Sequence, residues 1–508
     1  MRGPGAEDKS RQQAIEIVPS ASALMQSLRG IGYSPETAVA DLIDNSIAAG
    51  ATTVDINIDW NDGDPVLAIL DDGRGFELND LVSAMCFGGA GPLAERSEDD
   101  LGRFGLGLKT ASLSQCRRMT VAGRRNGQTV ALAWDVDEVA SRRRWDAIVP
   151  DTLPRSPLAD RLQERPKGTL VLWERMDAIG GLSGLDKETF FLRVQNIRAH
   201  AAMVFHRFLG GDARHLAITV NNQPVRPWDP FLHTHPATIT MPSERLRHAG
   251  AAIVVTPHIL PHRDRFANDA QYESAGGPGG WGERQGFYVY RGRRLVVAGG
   301  WLGLGGTRAW TREESSRLAR IAVDLPLGVD AEWRIDVRKS LARPPGALRR
   351  QLTDIGAICR ERAREVFAWR GSRGRKKTVA IDDDPVWIAD RRGSRLSYHI
   401  SRRHPAVNAV AGRLGEDANL LDGLLELIER SVPVERIWLD ISEAEGASSA
   451  TLDAPETAKL AGQIAALVAA MPDDAPVNAR LERLLRHLPG ASPALRRSVL
   501  QLMEAPNE

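Results

Sequence analysis

The chain has 508 residues, 43% apolar and 26% charged, with 66 Lys and Arg against 65 Asp and Glu. This is the composition of an ordinary globular protein, long enough for two to four domains with full-sized cores, and it argues against a uniformly basic surface. Three widely spaced cysteines (Cys86, Cys116, Cys359) make neither a disulfide framework nor a zinc site and point to a reduced, cytoplasmic setting. No run of 18 apolar residues occurs and the polar start "MRGPGAEDKSRQQ" lacks an apolar region, so secretion and membrane spanning are not expected.

The first strong element is "SPETAVADLIDNSIAAG", a helix with Ser34 as N-cap, Pro35 at its first position and Gly50 as its stop. Val39, Leu42, Ile43 and Ile47 form its apolar face, while Asp41 and Asn45 share another side at helical spacing. "TTVDINIDW" then alternates as a half-buried strand, "NDGD" turns the chain, and the apolar "PVLAIL" runs straight into "DDGRG". A helix, "ELNDLVSAMCF", leads to the Gly-rich, charged "GGAGPLAERSEDD". "GRFGLGLKTASLSQ" opens another helix, and "RMTVAG", "QTVALAW" and "GTLVLWERM" read as three strands. Helices set beside such a layer predict an α/β sandwich.

A boundary is expected near residue 180, at "IGGLSG". Beyond it "DKETFFLRVQNIRAHAAMVFHRFLG" reads as one long amphipathic helix, followed by strands in "HLAITVNNQPV", "AAIVVTPHI", "GFYVYRGRRLVV" and "LARIAVDLPL". "SAGGPGGWG" is expected to be a mobile loop. After a last long helix comes the basic linker "RGSRGRKK", then a hairpin, "VWIADRRGSRLSYHI", and several helices. Residues 366–404 hold ten basic residues against four aspartates, whereas residues 405–508 hold nine basic against sixteen acidic. The basic strip suits a nucleic-acid backbone or a solvated linker beside a charged edge strand. His233 and His235, and His258 and His262, lack Cys or acidic partners at ligand spacing and read as loop histidines rather than a metal site.

Three short motifs follow one another at element edges. The helix carries Asp41 and Asn45. "DDGRG" places Asp71 at a strand end with Gly73 and Gly75, which let a planar ligand approach the backbone while the acid accepts from an exocyclic amine. "GRFGLGLK" sets Gly102, Gly105, Leu106, Gly107 and Lys109 at a helix start, where bare amides suit phosphate. Each is weak alone; the order and spacing of all three, with "KGTLVLW", resemble the GHKL ATPases, the group of gyrase B, MutL, the ninety-kilodalton heat-shock chaperones, MORC proteins and histidine kinases. The resemblance is close over residues 20–175 and extends more loosely, in the manner of MORC-like bacterial proteins, to about residue 365.

The resemblance implies a Bergerat-type α/β sandwich in residues 1–180, an S5-like α/β transducer domain in 181–368, a basic linker in 369–378 and a small mixed C-terminal module in 379–508. It implies ATP and Mg²⁺ as ligands, with Asn45 on the metal, Asp71 on the adenine amine, Gly75 beneath the base and Thr169 supporting the adenine side. Gly102, Gly105 and Gly107 would wrap the phosphates, residues 76–101 would be a lid, and Lys339 would reach the γ-phosphate. It further implies dimerisation on ATP binding and action on DNA, through residues 370–403 or with protein partners, as in anti-phage defence or DNA processing. The pattern departs in two places: the general base of the family is usually Glu where this chain has Asp41, and position 48, often Asp, is Ala. A side chain shorter by one methylene, about 1.5 Å, misplaces a base enough to slow the reaction about a hundredfold. Slow hydrolysis is therefore the expectation, with an ATP-gated switch or a chaperone-like ATPase as alternatives. A histidine kinase is disfavoured, since its nucleotide domain would follow a phosphoacceptor helix.

Overall fold

A computed structural model describes residues 19–30, 32–87, 107–177, 184–210, 216–326, 328–330, 332–336, 342–368, 386–392, 395–432, 454–473, 475–485 and 492–504. The chain divides into two compact units, Met1–Phe367 and Ala368–Glu508.

Unit 1 begins with helices α1 (Ala21–Arg29) and α2 (Pro35–Ala48), strands β1 (Thr53–Asp59) and β2 (Val66–Asp71), and helices α3 (Leu78–Met85) and α4 (Gly107–Leu113). Strands β3 (Cys116–Arg125) and β4 (Gln128–Asp135) follow, then α5 (Val136–Arg142), α6 (Pro157–Glu164), β5 (Gly168–Met176), α7 (Lys187–Val204), α8 (His206–Leu209), β6 (Ala217–Val220) and β7 (Gln223–Pro224). The strands form one sheet in the order β4-β3-β5-β2-β1-β6-β7, antiparallel except for the β1–β6 pair. The period-two alternation of strand side chains decides what each face buries. Leu67 and Ile69 of β2 point to α2 and its neighbours in the larger core, and Ala68 and Leu70 point to Leu158 and Leu162 of α6 on the other. The result is the mixed α/β sandwich expected from the sequence.

The expected boundary near residue 180 falls inside this layer. Phe190, Val194, Ile197 and Ala201 of α7 enter the same core as Val39 and Ile43 of α2, and β6 extends the sheet beyond β1. The helix is also shorter than expected, because the chain turns at Phe205 (φ −103°, ψ 14°) before α8.

The second sheet comprises β8 (Ile239–Thr240), β9 (Glu244–His248), β10 (Ala251–Ile259), β11 (Gly286–Arg291), β12 (Arg294–Ala298) and β13 (Ala319–Leu325). Its path is β12-β11-β13-β10-β8, with β9 also paired to β10. Tyr288 and Tyr290 of β11 face the first core, whereas Phe287 and Val289 face a second core closed by Leu348, Leu352 and Ile355 of the long C-terminal helix Gly346–Ala368. The stretch 274–282, expected as a mobile loop, is instead ordered between helices α9 (Asp269–Gly276) and α10 (Gly280–Arg284). Trp281 stacks on Tyr272 at 4.7 Å, and a Cβ on Gly277 (φ 79°) would overlap Trp228, so its glycines serve close packing rather than freedom.

Unit 2 holds the expected hairpin, β14 (Trp387–Arg392) with β15 (Arg395–Ile400), and helices over 405–414, 418–431, 454–470, 477–485 and 493–504. Ile464, Val468, Leu481, Leu495 and Val499 form its core, and Leu420, Leu424 and Leu427 are exposed on one helix. No helix among the described residues is long and apolar enough to cross a membrane. The linker 369–378 lies outside the described residues.

Candidate functional site

Helix α2 starts on a reciprocal cap in which Ser34 Oγ accepts from Thr37 N and Thr37 Oγ1 accepts from Ser34 N, with Pro35 at the first position. The cap fixes which way the polar side chains point. Asp41 and Asn45, alike in the sequence pattern, have different surroundings: Asp41 is buried and Asn45 is exposed. Asp41 Oδ2 accepts a hydrogen bond from the Tyr33 hydroxyl at 2.8 Å. Burial first, then the charge of Asp41, pushes the Tyr33 phenol well above its usual range, so it stays a donor. A Cβ on Gly107 would lie 3.6 Å from Asp41 Oδ2, which puts this carboxylate against the first residue of α4.

One turn further on, Ser46 Oγ donates to Asp71 Oδ2 at 2.8 Å, and Gly73 N donates to Asp71 Oδ1 at 2.9 Å. Burial raises the Asp71 carboxyl above the usual range, opposed by these two bonds and by the backbone of Thr169. Thr169, also buried, pairs with Asp71 across β5 and β2. Gly75 (φ 66°) packs so closely that a Cβ would overlap the Arg124 carbonyl, and a Cβ on Gly73 would lie 2.8 Å from that of Ala49. Ser46 does not stand out in the sequence pattern, although its place directly after Asn45 is the available signal. Neighbouring Asp72 serves the sheet instead, accepting from the Thr52 and Thr53 amides and the Thr52 hydroxyl and so fastening the start of β1.

Lys109 is buried, with Nζ donating to the carbonyls of Ala84 and Cys86 at 2.8 Å each. It therefore closes the C-terminal end of α3, where a cation meets the helix dipole. Burial pulls its ammonium down to about 8. Gly102, Gly105, Leu106 and Lys339 lie outside the described residues, as do residues 88–101 of the expected lid.

Helix α2 has a second buried acid that the sequence pattern does not mark out. Asp44 accepts from Arg294 Nε through both carboxylate oxygens, at 3.1 and 2.9 Å, with side chains 1% and 3% exposed. His233, His235 and His262 lie in loops, as expected, but two details differ. His258 is buried in β10, and His233 pairs with Asp229 at 3.0 Å, an acidic partner four positions earlier. No group of three or more His, Cys, Asp or Glu that could hold a metal occurs among the described residues.

The surroundings of Asp71, Asn45 and Asp41 are thus gathered along one helix. Asp71 retains acceptor capacity beside the close-packed Gly73 turn, Asn45 is exposed, and Asp41 lies against the α4 start. Comparison with known proteins bears on the same region of the chain. Residues 33–169 match the family described as "Histidine kinase-, DNA gyrase B-, and HSP90-like ATPase". The chain is 35% identical over 125 residues to the DNA mismatch repair protein MutL of Shewanella piezotolerans, covering 24% of this chain and 19% of that protein. It is 31% identical over 122 residues to MutL of Erwinia tasmaniensis, covering 23% and 20%. The chain thus spans about a fifth of the length of the curated relatives it matches. Over residues 33–169 the chain is thus similar to the GHKL-type ATPase domain.

Proposed function

We infer that the protein binds Mg·ATP in this domain and hydrolyses it slowly, as an ATP-dependent dimerising clamp. The observation that supports it most is that one helix reaches both ends of the site: Ser46 holds Asp71, and Asp41 lies against Gly107. Asp71 would accept from the adenine amine, beside the close-packed turn at Gly73 and Gly75. Asn45 would hold Mg²⁺, which supplies charge neutralisation at the phosphates. Asp41, oriented by the Tyr33 hydroxyl, would position a water and take its proton. The α4 amides would face the phosphates, and Lys109, engaged with α3, would act by holding that turn in place.

Residues 181–368 would act as the transducer, with Lys339 reaching the γ-phosphate. The MutL relatives are named for DNA mismatch repair, and the basic strip at 370–403 supports DNA as the partner here; MORC-like and anti-phage roles follow the same reading. Binding to DNA should then weaken steeply with salt. The alternative, an ATP-gated switch without turnover, draws support from the short Asp41 side chain and its bond to Tyr33. Calorimetric titration with Mg·ATP tests the reading: wild type binds, Asn45→Ala loses the Mg²⁺ dependence, and no binding by wild type would overturn it.

A further inference from the structure

Unit 2 carries a surface that the nucleotide site does not use. In the hairpin, β14 and β15 pair Trp387 with Ile400 and Ala389 with Tyr398. Residues directly opposite one another, and residues two apart on one strand, share a face of the pleat. Trp387 and Tyr398 therefore stand on the same face as diagonal neighbours, and they are 43% and 54% exposed. Large rings scattered singly over a surface are ordinary, but two set side by side in water on one hairpin mark a place where something binds.

The hairpin is fastened at its open end. Ser401 N donates to the Val386 carbonyl at 2.8 Å, and Glu429, on the helix over 418–431, accepts from Ile400 N at 2.8 Å. Arg402 donates to the Ile400 carbonyl at 3.0 Å and pairs with both Glu429 and Asp422. The strands that carry the two rings are thus fixed in advance, which lowers the ordering cost of binding. Charge then selects the occupant. Residues 386–404 hold five arginines against one aspartate, and with Arg402 engaged by its acids the other four still outnumber Asp390. Two copies of this face would set like charge against like, which disfavours a second chain. A strand of nucleic acid answers both features, since its phosphates suit the positive strip and its bases stack on aromatic rings. The base faces are free to do so only where the strand is not paired and stacked in a duplex.

We propose that the β14–β15 hairpin binds single-stranded DNA, with Trp387 and Tyr398 stacking on its bases. This rests on the DNA reading above and names the form of DNA and the two residues that grip it. Binding of this kind tolerates any sequence, because every base offers a flat face. The rings add affinity without neutralising phosphate, so their share does not depend on salt, whereas the share of the arginines does.

The test uses the full chain, with and without Mg·ATP, and the fluorescence anisotropy of labelled oligothymidylate of about 20 nucleotides, beside a duplex of the same length and the matching oligouridylate. Wild type should bind the single DNA strand about tenfold or more tighter than the duplex at equal salt. Trp387→Ala and Tyr398→Ala should each weaken that binding about tenfold at an unchanged salt slope, while Trp387→Phe keeps most of the affinity. Arg403→Gln should instead lower the slope by about one. Where an alanine variant melts early, Trp387→Phe and cross-linking decide: a strand carrying iodouracil should cross-link under ultraviolet light to Trp387 or Tyr398. Wild-type affinity in both alanine variants, cross-links confined to other residues, or a preference for the duplex overturns the proposal and leaves the DNA reading standing. A preference for the oligouridylate overturns the choice of DNA. A dimer broken by Trp387→Ala with DNA binding unchanged makes a second copy the occupant and overturns it as well. No binding of either DNA form removes the DNA reading and this proposal together.

Discussion

Asp71 and Asp41 are both buried aspartates served by helix α2, yet their surroundings are built differently. Asp71 takes its partners from Ser46, Gly73 and Thr169, all within the first sheet and the helix upon it. Asp41 accepts from Tyr33, ahead of the helix, and shares that helix with Asp44, which is held by Arg294 of the second sheet. The end proposed for adenine is thus complete within the residues that match the ATPase family, while the helix carrying Asp41 is also tied, through Asp44, to Arg294, 250 residues away in the chain. Local construction suits a group that must always be recognised the same way. Distant construction suits a group whose reaction is to be governed by the state of the second sheet.

Breaking the long-range side should have the largest effect. Arg294→Met should destabilise unit 1 by about 3–5 kcal/mol, because Asp44 is left as a buried charge without its guanidinium, and chemical denaturation would measure it. A loss under about 1 kcal/mol would show that the pair is not holding α2 to β12. On the local side, Asp71→Asn keeps the shape but replaces an anionic acceptor. ATP affinity should fall by about 1.5–3 kcal/mol, roughly ten- to a hundredfold, without a matching change in folding stability. Ser46→Ala should weaken binding less, by about 1 kcal/mol, since it removes a neutral donor that holds Asp71 in place.

How much of this the sequence could show divides along the same line. The strands through β5, the helices that carry the motifs, the cap at Ser34, and the positions of Asp41, Asn45, Asp71 and Gly75 follow from local patterns, whereas helices α1, α5 and α6 do not. Ser46, Asp44 and Arg294 do not stand out, because their meaning depends on which face of α2 meets which sheet. The boundary expected near residue 180 rests on a glycine-rich stretch, but α7 and β6 complete the first layer from the far side of it, and no local signal records that parallel β1–β6 pairing. "SAGGPGGWG" has the composition of a loose loop; the stacking of Trp281 on Tyr272 and the close approach of Trp228 to Gly277 are tertiary facts.

The smallest effect concerns the His233–Asp229 pair, which sharpens the comparison by lying outside both sets of surroundings. A hydrogen bond from His233 to Asp229 raises the histidine midpoint above its usual value. A raised folded-state midpoint means the pair's contribution is fully present below the unfolded histidine midpoint, about 6.5, and is lost as pH rises through the folded one. The side chain is 57% exposed, so solvent screens the pair and the effect should stay below about 1 kcal/mol. The stability gap between wild type and His233→Ala should therefore narrow on going from pH 5 to pH 8, about three units across that midpoint. ATP turnover measured at one pH should not change with the substitution.

The central claim, that α2 brings a base and a metal ligand to ATP, is met most directly by phosphate release from Mg·ATP. Wild type would be compared with Asp41→Ala and Asn45→Ala. Slow turnover in the wild type, abolished by both substitutions while Asp41→Ala still binds ATP, is the predicted result. Turnover in the wild type no faster than in Asp41→Ala, with ATP bound by both, would contradict it and leave the protein an ATP-gated switch.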